Sequence, residues 1–155
     1  MKVFVTGVNG QLGHDVMNEL AGRHIEAVGC GTSPVYKGIR NGSPVEKMPY
    51  IQLDITKKDQ VNEAMEKVHP DAVIHCAAWT AVDAAEEPEN IAKVRAVNVD
   101  GTRFIAEVCK KLGAKMLSMC MARVSLTENS RYLPCWISTL SSVLPGSLAL
   151  MEIIS

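Results

Sequence analysis

The 155-residue chain has no C-x-x-C pair, no extended block of like charge and no grouping of His, Cys or carboxylate residues at metal-ligand spacing. Its five cysteines, Cys30, Cys76, Cys109, Cys120 and Cys135, form an odd set. Neither a disulfide framework nor a zinc or other metal cluster is therefore expected, and the thiols read as reduced packing residues. Sixteen basic residues against seventeen acidic ones leave a net charge of −1, which gives no electrostatic reason for nucleic acid or an anionic membrane as partner. A small-molecule partner is the better expectation. The apolar run after Met1-Lys2 is too short for a signal peptide and is interrupted by Thr6-Gly7, so the expected compartment is the cytoplasm. From Leu133 to Met151 no residue is charged, but Pro134, Pro145-Gly146 and five Ser or Thr argue against a membrane span. Internal repeats and long disordered linkers are likewise missing. At this length one domain, burying roughly 68–70% of its unfolded surface, is expected.

What is present starts six residues after the initiator. Gly7-Val8-Asn9-Gly10-Gln11-Leu12-Gly13 lies between a β-branched and aromatic run, Lys2-Val3-Phe4-Val5-Thr6, and a stretch with Leu12, Val16, Met17 and Leu20 at helical spacing. A glycine turn from strand into helix lets a pyrophosphate approach bare backbone, where free N–H groups and the positive end of the helix dipole meet its charge. The spacing, Gly-x-x-Gly-x-x-Gly, is one residue longer in the turn than the commoner dinucleotide pattern.

Strand and helix then alternate. Ile25 to Cys30 reads as a second strand, Gly31 to Pro49 as a loop, Tyr50 to Ile55 as a third strand, and Val61, Ala64, Met65 and Val68 as a helix ended by Pro70. Asp71 to Ala78 is a nearly all-apolar fourth strand, as expected where both faces are covered. A long helical pattern through Ile91, Val94, Val97, Phe104, Ile105, Val108 and Leu112 stops at Gly113, and Lys115-Met116-Leu117 begins a fifth strand. This order predicts an α/β fold, a doubly wound parallel sheet with right-handed crossovers, and places ligands at the carboxyl ends of the strands. The Gly7 turn, the Cys30–Ser33 turn, Asp54-Ile55 and Ala77-Ala78-Trp79 would share that rim. Beyond Leu117 the alternation stops: the last 38 residues hold no lysine and only four charged residues, Arg123, Glu128, Arg131 and Glu152. The division is a dinucleotide-binding part over 1–117 and a divergent tail over 118–155, so the sheet reads as incomplete.

Thr6-Gly7-x-x-Gly10-x-x-Gly13, Leu53-Asp54-Ile55, the run Ala77-Ala78-Trp79-Thr80-Ala81-Val82-Asp83-Ala84-Ala85-Glu86, and Asn98-Val99-x-Gly101-Thr102 together resemble the extended short-chain dehydrogenase/reductase superfamily. Within it the chain is similar to the dTDP-4-dehydrorhamnose reductases, over residues 1 to about 117. The resemblance implies a Rossmann fold, NADPH or NADH as hydride donor, and a nucleotide-sugar substrate. In that family this is dTDP-4-dehydro-L-rhamnose, whose 4-keto group is reduced in the last step toward dTDP-L-rhamnose; a homodimer is left open. It puts the pyrophosphate on Gly7, Gly10, Gln11, Leu12 and Gly13, the adenine beside Asp54 and Ile55, and the nicotinamide ribose beside Ala77, Ala78 and Thr80. Each has a plainer reading. Asp54 could cap the helix that starts near Lys57. Thr80, Val82 and Asp83 could form a turn and helix start, with Glu86 and Glu87 complementing the dipole. Asn98 reads as tying its helix to a neighbouring strand, His75 as a satisfied core histidine and His14 as exposed. The turn Cys30-Gly31-Thr32-Ser33 carries no acid for a ribose 2′-hydroxyl, which permits a 2′-phosphate within reach of Lys37 or Arg40 and leaves both cofactors open.

Ketone reduction needs a positioned acid, which the resemblance implies is the tyrosine of a Tyr-x-x-x-Lys pair. The tyrosines are Tyr36, Tyr50 and Tyr132, and four residues after them stand Arg40, Asp54 and Trp136. No catalytic residue is therefore assigned. The family's next strand would continue as Ser-Thr-Asp-Tyr-Val-Phe, where this chain reads Ser118-Met119-Cys120-Met121-Ala122-Arg123. The hypothesis for that departure is a reading frame shifted or misjoined near codon 118, in which case one of the other two frames should encode Ser-Thr-Asp-Tyr and a later Tyr-x-x-x-Lys. Two further readings stand beside the reductase: a non-catalytic NAD(P)-binding module resembling the regulatory subunit of methionine adenosyltransferase, and a fragment without function, whose open sheet edge invites aggregation.

Overall fold

In a computed structural model the described residues are 1–118; the expectations placed on 119–155, including Cys120, Cys135 and Tyr132, lie outside them. β1 (Lys2–Thr6), β2 (Glu26–Gly31), β3 (Tyr50–Gln52), β4 (Ala72–His75) and β5 (Lys115–Ser118) form one parallel sheet in the order β3-β2-β1-β4-β5. The chain winds outward from β1 to β2 and β3, then returns across β1 to place β4 and β5 on its other side. This reversal makes a crevice between the carboxyl ends of β1 and β4, the place where such sheets bind ligands. Thr6, last in β1, pairs with Cys30 on one side and His75 on the other.

Alternation along β1 builds the two cores. Phe4 points to one face with Val28 and Val73, against Val61 and Met65 of α2 (Lys58–Val68) and Ile105 and Val108 of α5 (Thr102–Leu112). Val3 and Val5 point to the other, with Ala27, under Met17 and Leu20 of α1 (Gln11–Gly22) and Val45. Val45 belongs to a 3₁₀ turn, Pro44–Lys47, inside the segment read as a plain loop. Two left-handed residues end the helices facing Phe4: His69 at φ 50° after α2, just before Pro70, and Gly113 at φ 71° after α5.

Several boundaries differ from the sequence reading. β3 stops at Gln52, short of Ile55, and β4 at His75, short of Ala78. Among the described residues their neighbours β2 and β1 end at Gly31 and Thr6, so the described chain beyond finds no further pairing there and peels onto the rim. The long helix is not straight either. α4 (Pro88–Arg95) joins α5 through a π segment, Ala96–Gly101, while a short α3 (Val82–Ala85) precedes both. A π turn inserts an extra residue, rotating everything before it by about 100° relative to a regular helix. Ile91, which straight-helix counting puts on the face of Ile105, is consequently 55% exposed. Among the described residues no helix is long and apolar enough to cross a membrane.

Candidate dinucleotide-binding site

The glycine turn follows β1 at the crevice. Gly7 has φ +72°, and its N–H and that of Val8 both donate to the Cys30 carbonyl, at 3.0 and 3.3 Å. Gly10 N–H donates back to Gly7 O at 3.0 Å, and the first bond of α1 is His14 N–H to Gly10 O at 3.0 Å. The amides of Gln11, Leu12 and Gly13 precede that bond, and no side chain caps them. Three donors at the positive end of a twelve-residue helix thus point out of the turn.

The three glycines do different work. A Cβ on Gly7 would lie 2.6 Å from Ala77 N, and one on Gly13 would lie 2.7 Å from Val8 Cα, both backbone atoms that cannot yield. These two permit the turn to close. A Cβ on Gly10 would meet only Gly7 O at 3.4 Å, an ordinary contact, and its backbone is extended at φ −88°. Nothing in the described chain requires glycine there, so its bareness leaves space for an approaching group. The turn accordingly fits a pyrophosphate.

The opposite bank is built from side chains. Ala77 N–H donates to Thr6 Oγ1 at 3.2 Å, Thr6 Oγ1 lies 2.7 Å from His75 Nδ1, and His75 Nε2 lies 3.0 Å from Thr102 Oγ1. Thr102 donates its only hydroxyl proton to Asn98 O at 3.0 Å. It must therefore accept from His75 Nε2–H, which leaves Nδ1 to accept from Thr6. Every donor has one acceptor. Burial pushes the His75 imidazole down to about 4, so it stays neutral. His75 is a satisfied core histidine, as expected. Asn98 closes the bank by accepting Trp79 N–H at 2.7 Å and donating to Trp79 O at 3.2 Å, which joins the π segment to the loop leaving β4 and not to a strand.

Asp54 and Ile55 follow β3 on the same rim. Asp54 Oδ1 accepts from Thr56 N–H and Oγ1–H at 3.0 and 2.7 Å. The carboxylate closes this tight turn and does not cap α2, whose N-cap Lys57 has no side-chain cap; Oδ2 has no donor among the described residues. Asp54 lines an open polar groove with Thr32, Gln52 and Gln60. Ile55 packs on Gly101, where a Cβ would come within 2.9 Å of its side chain, tying rim to π segment. The structure thus brings Gly7, Gly10, Gln11, Leu12, Gly13 and Ala77 together at the crevice and sets Asp54 and Ile55 further along. Ala78 and Thr80 are exposed on the loop, and the Thr80 hydroxyl has no hydrogen bond among the described residues. Asp83 lies in the first turn of α3, Glu86 ends that helix and Glu87 opens α4.

His14 corrects an expectation: it is 2% exposed. Tyr36 donates to Ile39 O at 3.2 Å, so its oxygen accepts His14 Nδ1–H at 2.6 Å. His14 Nε2 then accepts from Asn18 at 2.9 Å, and Asn18 Oδ1 accepts Val45 N–H at 3.3 Å. The signal was available, since His14 sits three residues before Met17 on the apolar face of α1. Tyr36 and Tyr50 hold this loop, and burial raises both phenols, the opposite of what a proton donor near neutrality needs. Burial also pushes the Cys30 thiol up to about 12 and Cys76 and Cys109 to about 11, as expected for inert packing thiols.

A parallel sheet reversing beside a glycine turn and an uncapped helix start places the chain in the Rossmann-like class of doubly wound folds. Residues 1–130 match the RmlD substrate binding domain family, and the chain belongs to it. That match runs past Leu117, where the motif-by-motif resemblance stops. The chain is 34% identical over 115 residues to dTDP-4-dehydrorhamnose reductase of Streptomyces griseus, covering 74% of this chain and 31% of that one. A probable low-salt glycan biosynthesis reductase of Haloferax volcanii is 36% identical over 109 residues, covering 70% and 33%. Among solved structures, dTDP-4-dehydrorhamnose reductase of Bacillus anthracis in complex with NADP superposes with a TM-score of 0.56 at 29% identity, covering 74% and 34%. UDP-glucose 4-epimerase of Thermus thermophilus in complex with NAD gives 0.64 at 27%, covering 75% and 36%. The chain spans about a third of the length of the curated relatives it matches.

Proposed function

We propose that this chain is the cofactor-binding part of a dTDP-4-dehydrorhamnose reductase-like oxidoreductase, which takes NAD(P)H and serves reduction of the 4-keto group of a deoxysugar carried on a nucleoside diphosphate. The observation that carries the reading is the open Gly10 beside three uncapped amides, at the point where the sheet reverses. The amides of Gln11, Leu12 and Gly13 hold the diphosphate bridge, Asp54 and Ile55 border the adenine, and Ala77, Ala78 and Thr80 border the nicotinamide ribose. A bound reduced nicotinamide supplies the hydride. The Thr6–His75–Thr102 line fixes the loop that would face the ring, and its neutral imidazole takes no part in proton transfer near pH 7. This chain contains no Tyr-x-x-x-Lys pair, so by itself it binds cofactor without turnover. Titration of NADPH and NADH into the purified chain, followed by nicotinamide fluorescence, should show saturable binding with no reduction of dTDP-4-dehydro-L-rhamnose. A folded sample that binds neither dinucleotide would remove the reading.

A further inference from the structure

Two of the seven asparagines precede glycine, in Asn9-Gly10 and Asn41-Gly42, while the others precede Glu, Ile, Val or Ser. A backbone nitrogen that has lost its proton can attack the side-chain carbonyl carbon of the asparagine before it, closing a cyclic imide and expelling ammonia. Glycine permits this most readily, because no Cβ crowds the attacking nitrogen and the backbone turns freely to reach the carbon. The two steps share a sequence and have opposite surroundings. At Asn9 both ends of the side chain are engaged, Oδ1 accepting Lys37 N–H at 2.9 Å and Nδ2 donating to the Tyr50 hydroxyl at 3.3 Å. The nitrogen that would attack it, that of Gly10, donates to Gly7 O at 3.0 Å inside the glycine turn, and Gly10 is the N-cap of α1. Attack at Asn9 requires the turn itself to open.

Asn41 stands in the open. It and Gly42 are both exposed, on the segment between Tyr36, which His14 holds, and Val45, which Asn18 holds. Ser43 N–H donates to Asn41 Oδ1 at 3.0 Å, an Asx turn that folds the side-chain carbonyl back over the next peptide and polarises the carbon to be attacked. Nδ2, the leaving group, has no hydrogen bond among the described residues. Gly42 has φ +78°, and a Cβ there would meet nothing within 4 Å, so no neighbour crowds that side of it. One restraint remains. The exposed Glu46 carboxylate accepts Gly42 N–H at 2.7 Å and Asn41 N–H at 3.0 Å, both on Oε1. An anion on the Gly42 N–H opposes its loss of a proton, yet this bond faces water and opens without unfolding the rest of the chain.

We propose that Asn41 is a site of spontaneous deamidation, held in check by Glu46. Hydroxide takes the Gly42 amide proton, the nitrogen bonds to Asn41 Cγ, and the Cγ–Nδ2 bond breaks, the departing nitrogen taking a proton from water and leaving as ammonia. Water then opens the imide at Cγ to leave aspartate through one bond, or at the Asn41 backbone carbon to leave isoaspartate through the other; nothing is oxidised or reduced. Either product sets a new negative charge beside Glu46. Isoaspartate also routes the main chain through Cβ, which breaks the Asx turn and loosens the segment between Lys37 and Val45. The test holds the full chain in mildly alkaline buffer, folded or in urea, and resolves its peptides by mass spectrometry into asparaginyl, aspartyl and isoaspartyl forms. Folded, Asn41 should convert about tenfold faster than Asn9 or more, because only Asn9 waits on opening of the glycine turn. In urea the two rates should converge, since both residues precede glycine. Glu46→Ala should speed conversion of Asn41 several-fold and leave Asn9 unmoved. Equal rates at the two asparagines of the folded chain, or an Asn41 that converts only in urea, would overturn the site. A Glu46→Ala chain in which Asn41 keeps its rate or slows, or in which Asn9 speeds equally, would overturn the restraint.

Discussion

The two banks of the crevice are made in opposite ways. On the β1 side the geometry comes from atoms that are missing: Gly7 and Gly13 have no Cβ, so one backbone packs on another. On the β4 side it comes from a line of side chains, Thr6, His75, Thr102 and Asn98, in which each proton has one destination. The first bank fails when an atom is added and the second when a partner is lost. Both hold a loop at the same rim, so they can be challenged by matched substitutions read on the same scale.

The heaviest blow to the first bank is Gly13→Val. Its Cβ would lie 2.7 Å from Val8 Cα and 2.8 Å from Gly7 C, and the backbone can move only by opening the turn. A loss of ~3 kcal/mol or more is expected in urea unfolding. Wild-type stability in that variant would end the steric account. The second bank is challenged by acid. His75 titrates near its ordinary 6.5 when unfolded and at about 4 when folded. Between those values the unfolded chain binds a proton that the folded one refuses, so stability falls as pH drops from 6.5 to 4. The fall is up to about 3 kcal/mol. His75→Leu should remove that slope while costing ~1–3 kcal/mol at pH 7, because Thr6 and Thr102 lose their partner. A slope unchanged by the substitution would assign the acid sensitivity elsewhere.

The same contrast separates what the sequence made legible from what it did not. Sterically built features have a residue signature. Gly7 and Gly13 announced the turn, Val3-Phe4-Val5 the central strand, and Gly113 the end of α5, because each position excludes most alternatives locally. The parallel order followed from alternation of strand and helix. Side-chain networks have no such signature, since Thr6, His75 and Thr102 meet only after three separate elements pack. The π segment was hidden for a related reason: one inserted residue leaves composition unchanged and only shifts phase, so Ile91 reads as core and is exposed. Asn9 and Tyr50, 41 positions apart, likewise gave no sign that they meet.

Gly10→Ala separates folding from binding on the first bank. Its Cβ meets only Gly7 O at 3.4 Å in an extended backbone, so unfolding free energy should stay within ~1 kcal/mol of wild type. On the cofactor reading proposed above, the methyl nevertheless stands where the diphosphate would approach, and NADPH affinity should fall about tenfold, or ~1.4 kcal/mol. Stability lost in step with affinity would mean that Gly10, like its neighbours, serves the fold.

The smallest expected effect falls on the second bank, at its solvent end. Asn98 is exposed and makes two bonds, accepting Trp79 N–H at 2.7 Å and donating to Trp79 O at 3.2 Å. Water can replace both partners once the side chain is gone, so Asn98→Ala should cost only ~0.5–1 kcal/mol. The buried part of the line, Thr6 to His75 to Thr102, keeps its own bonds because Thr102 donates to the Asn98 backbone carbonyl, which alanine retains. What changes is the loop carrying Trp79, released from the π segment and free to sample positions that no longer face the glycine turn. NADPH affinity should then drop a few-fold with little change in unfolding free energy. A stability loss as large as that of His75→Leu would show that the bank acts as one cooperative unit to its exposed end, and not as a buried relay with a replaceable tie.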